Sequence, residues 1–495
     1  MESQQKSRVN CQKFDDFLAE EVRLEDVSVT EDRLQFTYLV DGESTSCKIR
    51  YNSIQFTDPV FESLEKARHF AITLAVLCSL RFGALIPKKI NFEKYSRYID
   101  EELLEFLELA MRGHWSQHRY QLGKLAYPYP EFIVTSSELG KEANYPLFSA
   151  ATVEDPVEVV LASGSGKDGL LCSLILEAAG IKYDICTYFH DTYGDNRELE
   201  TLYKQVTSHL NYKNQHGVYF NDEYYPWLKN RLERTNVIAR AKDYFGNNRF
   251  RSEAGEGLLT SMAMTPIQLV YGIPLLIVGH EKSADAPNLI EPESGEAIAH
   301  QWTKSFTYHN EISKQMARIF EGINLVSLLK PIHDVKIFDL LFKLDNKLSY
   351  ATNSCNVQKP WCCKCEKCCY VFAGFCAYGE LEKTIAAFGK NLFEMEENLP
   401  IWAEILGLKG YIAWECIGLP EEAQLYFYKL YLRGVKGVAI SLFEQHIINP
   451  LQEKGKKQVE KYFSEIEKEY SKIYENHHTM PDWLWQRIQP ILSKV

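Results

Sequence analysis

Two groups of residues have the types and spacing to do chemistry. The first is Ser163-Gly164-Ser165-Gly166-Lys167-Asp168-Gly169. Glycines let successive backbone N–H groups turn toward one anion, and a helix starting there adds partial positive charge. Lys167 has the reach to meet a phosphate oxygen, whereas Asp168 needs a bridging Mg2+ to face one. The spacing is neither a Walker A loop nor the full dinucleotide fingerprint, and a plain Gly-rich turn is the bland alternative. The second group is cysteine. Seven of the 13 cysteines fall between 355 and 376: Cys355, Cys362, Cys363, Cys365, Cys368, Cys369 and Cys376. Cys362, Cys365 and Cys368 form C-x-x-C-x-x-C, and Cys355 precedes the first by seven residues. A tetrahedral Zn2+ with Zn–S bonds of about 2.3 Å needs short knuckles and one ligand from a loop, and this spacing supplies both. Cys363 and Cys369 double two positions and leave other ligand choices open; inert buried thiols and a redox dithiol are the competing readings. With four protein ligands the zinc is structural, without a position for water.

The elements around these groups follow from periodicity. Val157–Ala162 (VEVVLA) is a short run, apolar but for Glu158; the glycine loop follows, then LLCSLILEAAG as a helix, then IKYDICTYF as a second buried strand. Strand, loop, helix and strand in that order open a parallel α/β sheet, and IPLLIVGH at 273–280 adds another strand. Ligands of such sheets lie outside the carboxyl ends of the strands, so Gly164–Gly169, His190 and His280–Ser283 are expected to share one crevice. Tyr188 and Phe189 are read either as a wall for an adenine or as core packing. Upstream, residues 34–51 alternate apolar and polar around Asp41-Gly42, a hairpin signal. Residues 60–82 and 101–112 read as helices, and the Pro- and Tyr-rich stretch 124–156 as a boundary. From about 378 onward the chain reads as helical. The expected units are therefore an α+β domain over 1–150, a nucleotide domain over 151–345, a four-cysteine segment over 346–420 and a helical extension over 421–495.

Composition narrows the class. The 495 residues are 45% apolar and 25% charged, which excludes disordered and fibrous proteins. The net charge of −12 argues against a direct grip on nucleic-acid phosphates, so an anionic ligand needs a local cradle. The first residues, MESQQKSRVNCQKFDDFLAEE, lack an apolar core of a signal peptide, and no apolar run reaches the ~20 residues of a membrane span. A soluble, cytoplasmic protein is expected.

The glycine loop resembles the pyrophosphatase loop of PP-loop ATP pyrophosphatases, usually Ser-Gly-Gly-x-Asp-Ser, matching it at Gly166 and Asp168 and departing at Gly169. A PP-loop followed by four cysteines also resembles 7-cyano-7-deazaguanine synthase. A narrower resemblance rests on Gly279-His280-Glu281-Lys282-Ser283-Ala284, on His300-Gln301-Trp302-Thr303-Lys304-Ser305-Phe306, on Trp361–Cys368 running into Tyr370-Val371-Phe372, and on Gly407-Leu408-Lys409-Gly410 leading to Glu415-Cys416-Ile417-Gly418. Together these words resemble the UDP-N-acetylmuramoyl-L-alanyl-L-glutamate epimerase family (MurL), over most of residues 25–420. The segment GEGLLTSMAMTPIQLVYG matches that family poorly. The resemblance implies a PP-loop (HUP-type) fold and adenylation by ATP of the α-carboxylate of a terminal L-Glu, releasing pyrophosphate and acidifying Cα–H. It implies a UDP-linked, carboxylate-bearing substrate, with ATP, Mg2+ and structural Zn2+. Lys167 and Asp168, with Ser163–Gly166, Gly169 and His190, then serve ATP and pyrophosphate, while Lys282, Ser283 and Lys304 pair substrate charges. His280, Glu281 and His300 are candidates for proton transfer; each has a structural alternative as a bonded strand end, an ion-paired carboxylate or a helix cap. Cys416 reads as a small buried hydrophobe rather than a nucleophile. The alternatives are an ATP pyrophosphatase acting on another acid or a protein terminus, and a catalytically weakened nucleotide- and zinc-binding scaffold.

Overall fold

The computed structural model describes residues 18–123, 125–191, 194–234 and 255–494. Its centre is a ten-stranded sheet. The strands are β1 (Glu21–Val29), β2 (Arg33–Val40), β3 (Glu43–Tyr51), β4 (Lys89–Asn91), β5 (Glu131–Ile133), β6 (Val159–Ala162), β7 (Tyr183–His190), β8 (Gln215–Asp222), β9 (Leu275–Val278) and β10 (Asn324–Ser327). They lie in the order β10-β9-β6-β7-β8-β3-β2-β1-β4-β5. The five strands from β10 to β8 are all parallel. Counted from β6 and read from β8, their order is 3-2-1-4-5, a doubly wound arrangement whose chain reverses its direction of travel between β6 and β9. Connections leave those two strands on opposite sides and open a crevice at their carboxyl ends.

Strand β6 needs no alternation because both its faces are covered. Val160 joins one core, while Val159 and Leu161 join the other. On the first face lie α1 (Leu64–Cys78), α4 (Glu256–Tyr271) and α5 (Phe306–Ile319). Against the second pack α3 (Lys167–Ala178), α6 (Asp334–Leu344), α7 (Glu366–Tyr378) and α8 (Pro420–Leu432). Leu64–Leu85 is apolar and long enough to cross a membrane by composition, but 94% of that window is buried within the protein, so it serves as a core helix.

The N-terminal hairpin forms where the alternation predicts it. Asp41 and Gly42 take φ of 51° and 85°, the paired left-handed residues that a tight hairpin needs to match strand twist. Strand β3 then pairs antiparallel with β8. The sheet thus runs across the boundary expected at 124–156, joining the N-terminal strands to the parallel half. Helix α2 (Glu101–Gln121) starts at its Asp100 cap and continues well past the expected end at 112. Its second half buries polar residues, among them His114, Gln117, His118 and Gln121, so apolar periodicity had nothing to follow there. In the charged C-terminal run, α9 (Lys456–Tyr470) buries Val459, Phe463 and Ile466 and leaves its Glu/Lys face to solvent.

Candidate functional site

Strand β6 ends at Ala162, and α3 begins at Lys167 with Gly166 as its N-cap. Between them Ser165 holds a left-handed φ of 56°. Two glycines are required by close approach. A Cβ on Gly169 would stand 2.7 Å from Ser163 Oγ, and one on Gly279 would stand 3.1 Å from Asp168 Cβ. The end of β9 therefore passes against the first turn of α3, and the loops 163–169 and 279–283 meet at the crevice.

Lys167 is turned inward. Its ammonium lies 2.6 Å from Asp168 Oδ1 and 2.5 Å from Asp334 Oδ1, at 1% exposure. Burial opposes the charge, but Asp168, Asp334 and Glu281 outweigh it and hold the lysine charged well above its ordinary range. At the N-terminus of α3, Lys167 N is met by Ser354 Oγ, and Asp168 beside it is a quarter exposed. Glu281 is buried against Lys304, Lys167 and Lys367; burial alone would raise its pKa, yet these cations bring it down to about 2. Lys304 is held charged against burial by Cys416, Glu281 and Asp168. Lys330, at the end of β10, donates to Glu281 O at 2.7 Å and to Asp285 at 2.9 Å.

Other residues singled out by sequence are engaged elsewhere. The backbone N–H of His280 donates to Ser327 Oγ at 2.9 Å, and its ring lies 3.0 Å from His309 Nε2. Burial, with Lys304 and Lys330 nearby, pushes His280 well below the ordinary histidine range. Lys282 pairs with Asp285 at 3.1 Å. The Ser283 hydroxyl is spanned by Glu422 at 2.7 Å and His333 at 2.8 Å. The substrate contacts expected of Lys282 and Ser283 thus fall on side chains already committed to internal partners. His190 sits between Asp191 at 3.6 Å and Asp222 at 3.4 Å. Asp222 also pairs with buried Arg81, which places His190 in an ion network at the N-terminal half of the sheet.

His300 lies on the other side of Lys304. Its Nδ1 is 2.7 Å from Gln117 Oε1 and its Nε2 is 3.9 Å from Cys416 Sγ. Cys416 is half-buried with polar neighbours, a different setting from the apolar one its sequence suggested. Asp334, Lys330, Lys367, Gln117 and Cys416 were not among the expected site residues. The run Lys330–Asp334 begins three residues after the end of β10, so the strand-end rule applied to a fifth strand could have found it.

The four sulfurs of Cys355, Cys362, Cys365 and Cys368 lie within 4.8 Å of one another. The separations Cys355–Cys365 and Cys362–Cys368 are 3.9 and 3.8 Å. A tetrahedron of sulfurs about 2.3 Å from zinc has edges of about 3.8 Å, so the set fits that ion. Backbone N–H groups of Val357, Gln358, Lys364 and Cys368 point at the sulfurs, where they would stabilise thiolate charge. Cys363 instead points at Phe388 O. Just before Cys355, Asn353 N donates to Ser165 O at 3.0 Å and Ser354 Oγ accepts from Lys167 N at 3.1 Å. The cysteine segment therefore grips the glycine loop.

Residues 345–453 match the family profile described as the MurL C-terminal domain. Among curated proteins, the chain is 29% identical over 157 residues to the UDP-N-acetyl-alpha-D-muramoyl-L-alanyl-L-glutamate epimerase of a Micromonospora species, covering 30% of this chain and 34% of that protein. To the protein of the same name from Salinispora tropica it is 26% identical over 176 residues, 33% and 37% of the two chains. To that of Xanthomonas oryzae pv. oryzae it is 22% identical over 434 residues, 82% of each chain. The matched segments thus span about a third of the length of the first two relatives. No solved structure matches. The chain is MurL-like.

Proposed function

We propose that this chain epimerises the terminal L-Glu of a UDP-linked muramoyl dipeptide, and that it does so by adenylating the glutamate α-carboxylate with ATP. The named activity of the three relatives supports the reaction, and the likeness of the glycine loop to PP-loop pyrophosphatases supports the use of ATP. The single observation that carries the reading is the crevice at the β6–β9 switch point, where the N-terminus of α3 and the quarter-exposed Asp168 meet charged Lys304.

In this reading the α3 N-terminus and the loop backbone receive the phosphates, and Asp168 would hold a Mg2+ that would neutralise phosphate charge. Lys304 faces the developing negative charge of the acyl group. Lys167, locked between Asp168 and Asp334, orients Asp168 rather than gripping a phosphate. Adenylation removes the carboxylate charge, so the Cα–H pair can be released into the acyl carbonyl. Cys355, Cys362, Cys365 and Cys368 would hold a structural zinc, and Asn353 and Ser354 next to them brace the glycine loop.

The test supplies ATP, Mg2+ and UDP-MurNAc-L-Ala-L-Glu, follows AMP and pyrophosphate, and determines the chirality of glutamate after hydrolysis. Substrate-dependent AMP together with D-Glu is expected. AMP without D-Glu overturns the epimerase assignment, and absence of AMP overturns adenylation. Asp168→Asn is expected to lower AMP formation at least ~100-fold with fold and zinc content kept; undiminished AMP in that variant removes Asp168 from the ATP site.

A further inference from the structure

Three segments distant in sequence converge on one sulfur. Gln117, on α2, is fully buried, and its Nε2 donates to Gln121 Oε1 at 3.2 Å. That donation leaves Gln117 Oε1 as the atom facing His300 Nδ1, 2.7 Å away. An amide oxygen accepts only, so Nδ1 carries the imidazole proton, and the lone pair of Nε2 points toward Cys416 Sγ at 3.9 Å. Nucleophile or acid, base and orienting group in hydrogen-bonded sequence is the arrangement of an activated thiol.

The sulfur is held in place and reachable. Cys416 N–H donates to Glu415 Oε1 at 2.8 Å, its carbonyl accepts from Lys367, and the residue is only half-buried. Lys304, whose charge is sustained by Cys416, Glu281 and Asp168, connects the thiol to the acid beside the glycine loop. His300, Glu415 and Cys416 also have donor atoms within 4.8 Å of one another. Two features set a metal reading aside: the ammonium of Lys304 already donates toward the sulfur, and Glu415 Oε1 is taken by Cys416 N and Asn356 Nδ2.

We propose that Cys416 and His300 are the proton-transfer pair of the site, acting on the Cα of the adenylated glutamyl group, with Gln117 as the residue that positions His300. The proposal rests on the activity inferred above. The thiol proton passes to His300 Nε2; the sulfur then takes the Cα proton, and the C–H electron pair moves to the acyl carbonyl oxygen as an enolate. Collapse of the enolate with a solvent-derived proton on the opposite face gives the inverted centre. The sulfur's proton returns to solvent through His300, so protons and charge balance.

The experiment runs the full chain in D2O with ATP, Mg2+ and UDP-MurNAc-L-Ala-L-Glu and measures deuterium at glutamate Cα relative to AMP released. In Cys416→Ser and His300→Gln this ratio is expected to fall at least ~100-fold, the range of general acid–base catalysis. Gln117→Leu is expected to lower it ~10-fold and shift its pH profile, and Gln117→Glu, which keeps the acceptor, to restore it. A Cys416→Ser ratio equal to wild type overturns the proposal, as does an acyl group found by mass on Cys416, which would make it a nucleophile. Iodoacetamide labelling, mapped to Cys416 by mass, separates the pair from the parent reaction. At pH 7 wild type is expected to label ~10-fold faster than His300→Gln, whether or not AMP is formed, and equal rates refute the pair. Wild type that labels fast yet releases no AMP overturns the adenylation reading instead.

Discussion

Lys167 shows how one residue can be recognised for its position and then serve a different end. At the head of α3 it has the reach for a phosphate, but its ammonium is buried between two carboxylates. Removing one partner of such a pair leaves an uncompensated charge in the interior, at a cost of about 3–5 kcal/mol. Lys167→Met is therefore expected to lose that much stability in a denaturant titration, and Lys167→Met with Asp334→Leu to regain most of it. Additive losses in the double variant would show that the two groups do not act as a pair. His333 carries a pH dependence. Burial, aided by Lys282, pulls its pKa down to about 4, below the ~6.5 of an unfolded histidine. The unfolded chain thus binds the proton first, so the stability His333 contributes is present above pH 6.5 and lost as pH falls from 6.5 toward 4. The slope is up to about 1.4 kcal/mol per pH unit for one proton. His280 and His309 are lowered by burial as well and add to the same slope. Stability measured from pH 7 to 5 is expected to decline, and His333→Gln to flatten that decline by about one proton; an unchanged slope would show that His333 titrates normally.

Among the elements, the strand–loop–helix unit of β6 and α3 was legible because its signals are local: a short apolar run, glycines and a helical period within about twenty residues. The length of α2 was not. Its distal half buries Gln117 against His300 and His118 beside Gly83, a polar interface without a hydrophobic stripe to read. The cysteine knuckles were legible as a ligand set, but their grip on the glycine loop was not, since Asn353 and Ser354 carry no motif. That grip yields a prediction. Cys355→Ser is expected to lower zinc content and thermal stability, and also to weaken ATP binding about 5–10-fold, because the adjoining Asn353–Ser354 contacts loosen. Cys363→Ser, whose sulfur faces Phe388 O, is expected to change neither zinc stoichiometry nor ATP affinity. Zinc analysis and nucleotide titration check both; equal effects in the two variants would unseat the ligand assignment.

For the whole molecule, continuity of the sheet matters more than any expected boundary. β3 covers the edge of β8, and buried Arg81 pairs with Asp222 at the end of that strand while packing on Phe220, Tyr224 and Tyr225. A chain cut to begin at residue 151 would leave β8 as an exposed edge strand and Asp222 buried without its cation, two separate penalties. Such a truncation is expected to aggregate when expressed, and sedimentation of the purified product would show it. A monodisperse, folded fragment would instead establish that the nucleotide half folds by itself.

The sequence by itself determined what neighbours in the chain can decide: the Asp41-Gly42 turn, the alternation of β2, the glycine loop with its helix, and the C-x-x-C-x-x-C spacing. Each depends on backbone freedom or side-chain period over a few residues. Only the tertiary structure decided that Lys167 meets Asp334, that the β3 hairpin finishes the parallel sheet, and that Gln117, His300 and Cys416 line up in one hydrogen-bonded row. These partners are more than 100 residues apart, and no local propensity encodes such a pairing. It is set by the strand order 3-2-1-4-5, which brings loop ends together at one crevice, and by the loss of water there, which makes every charge and lone pair find a partner.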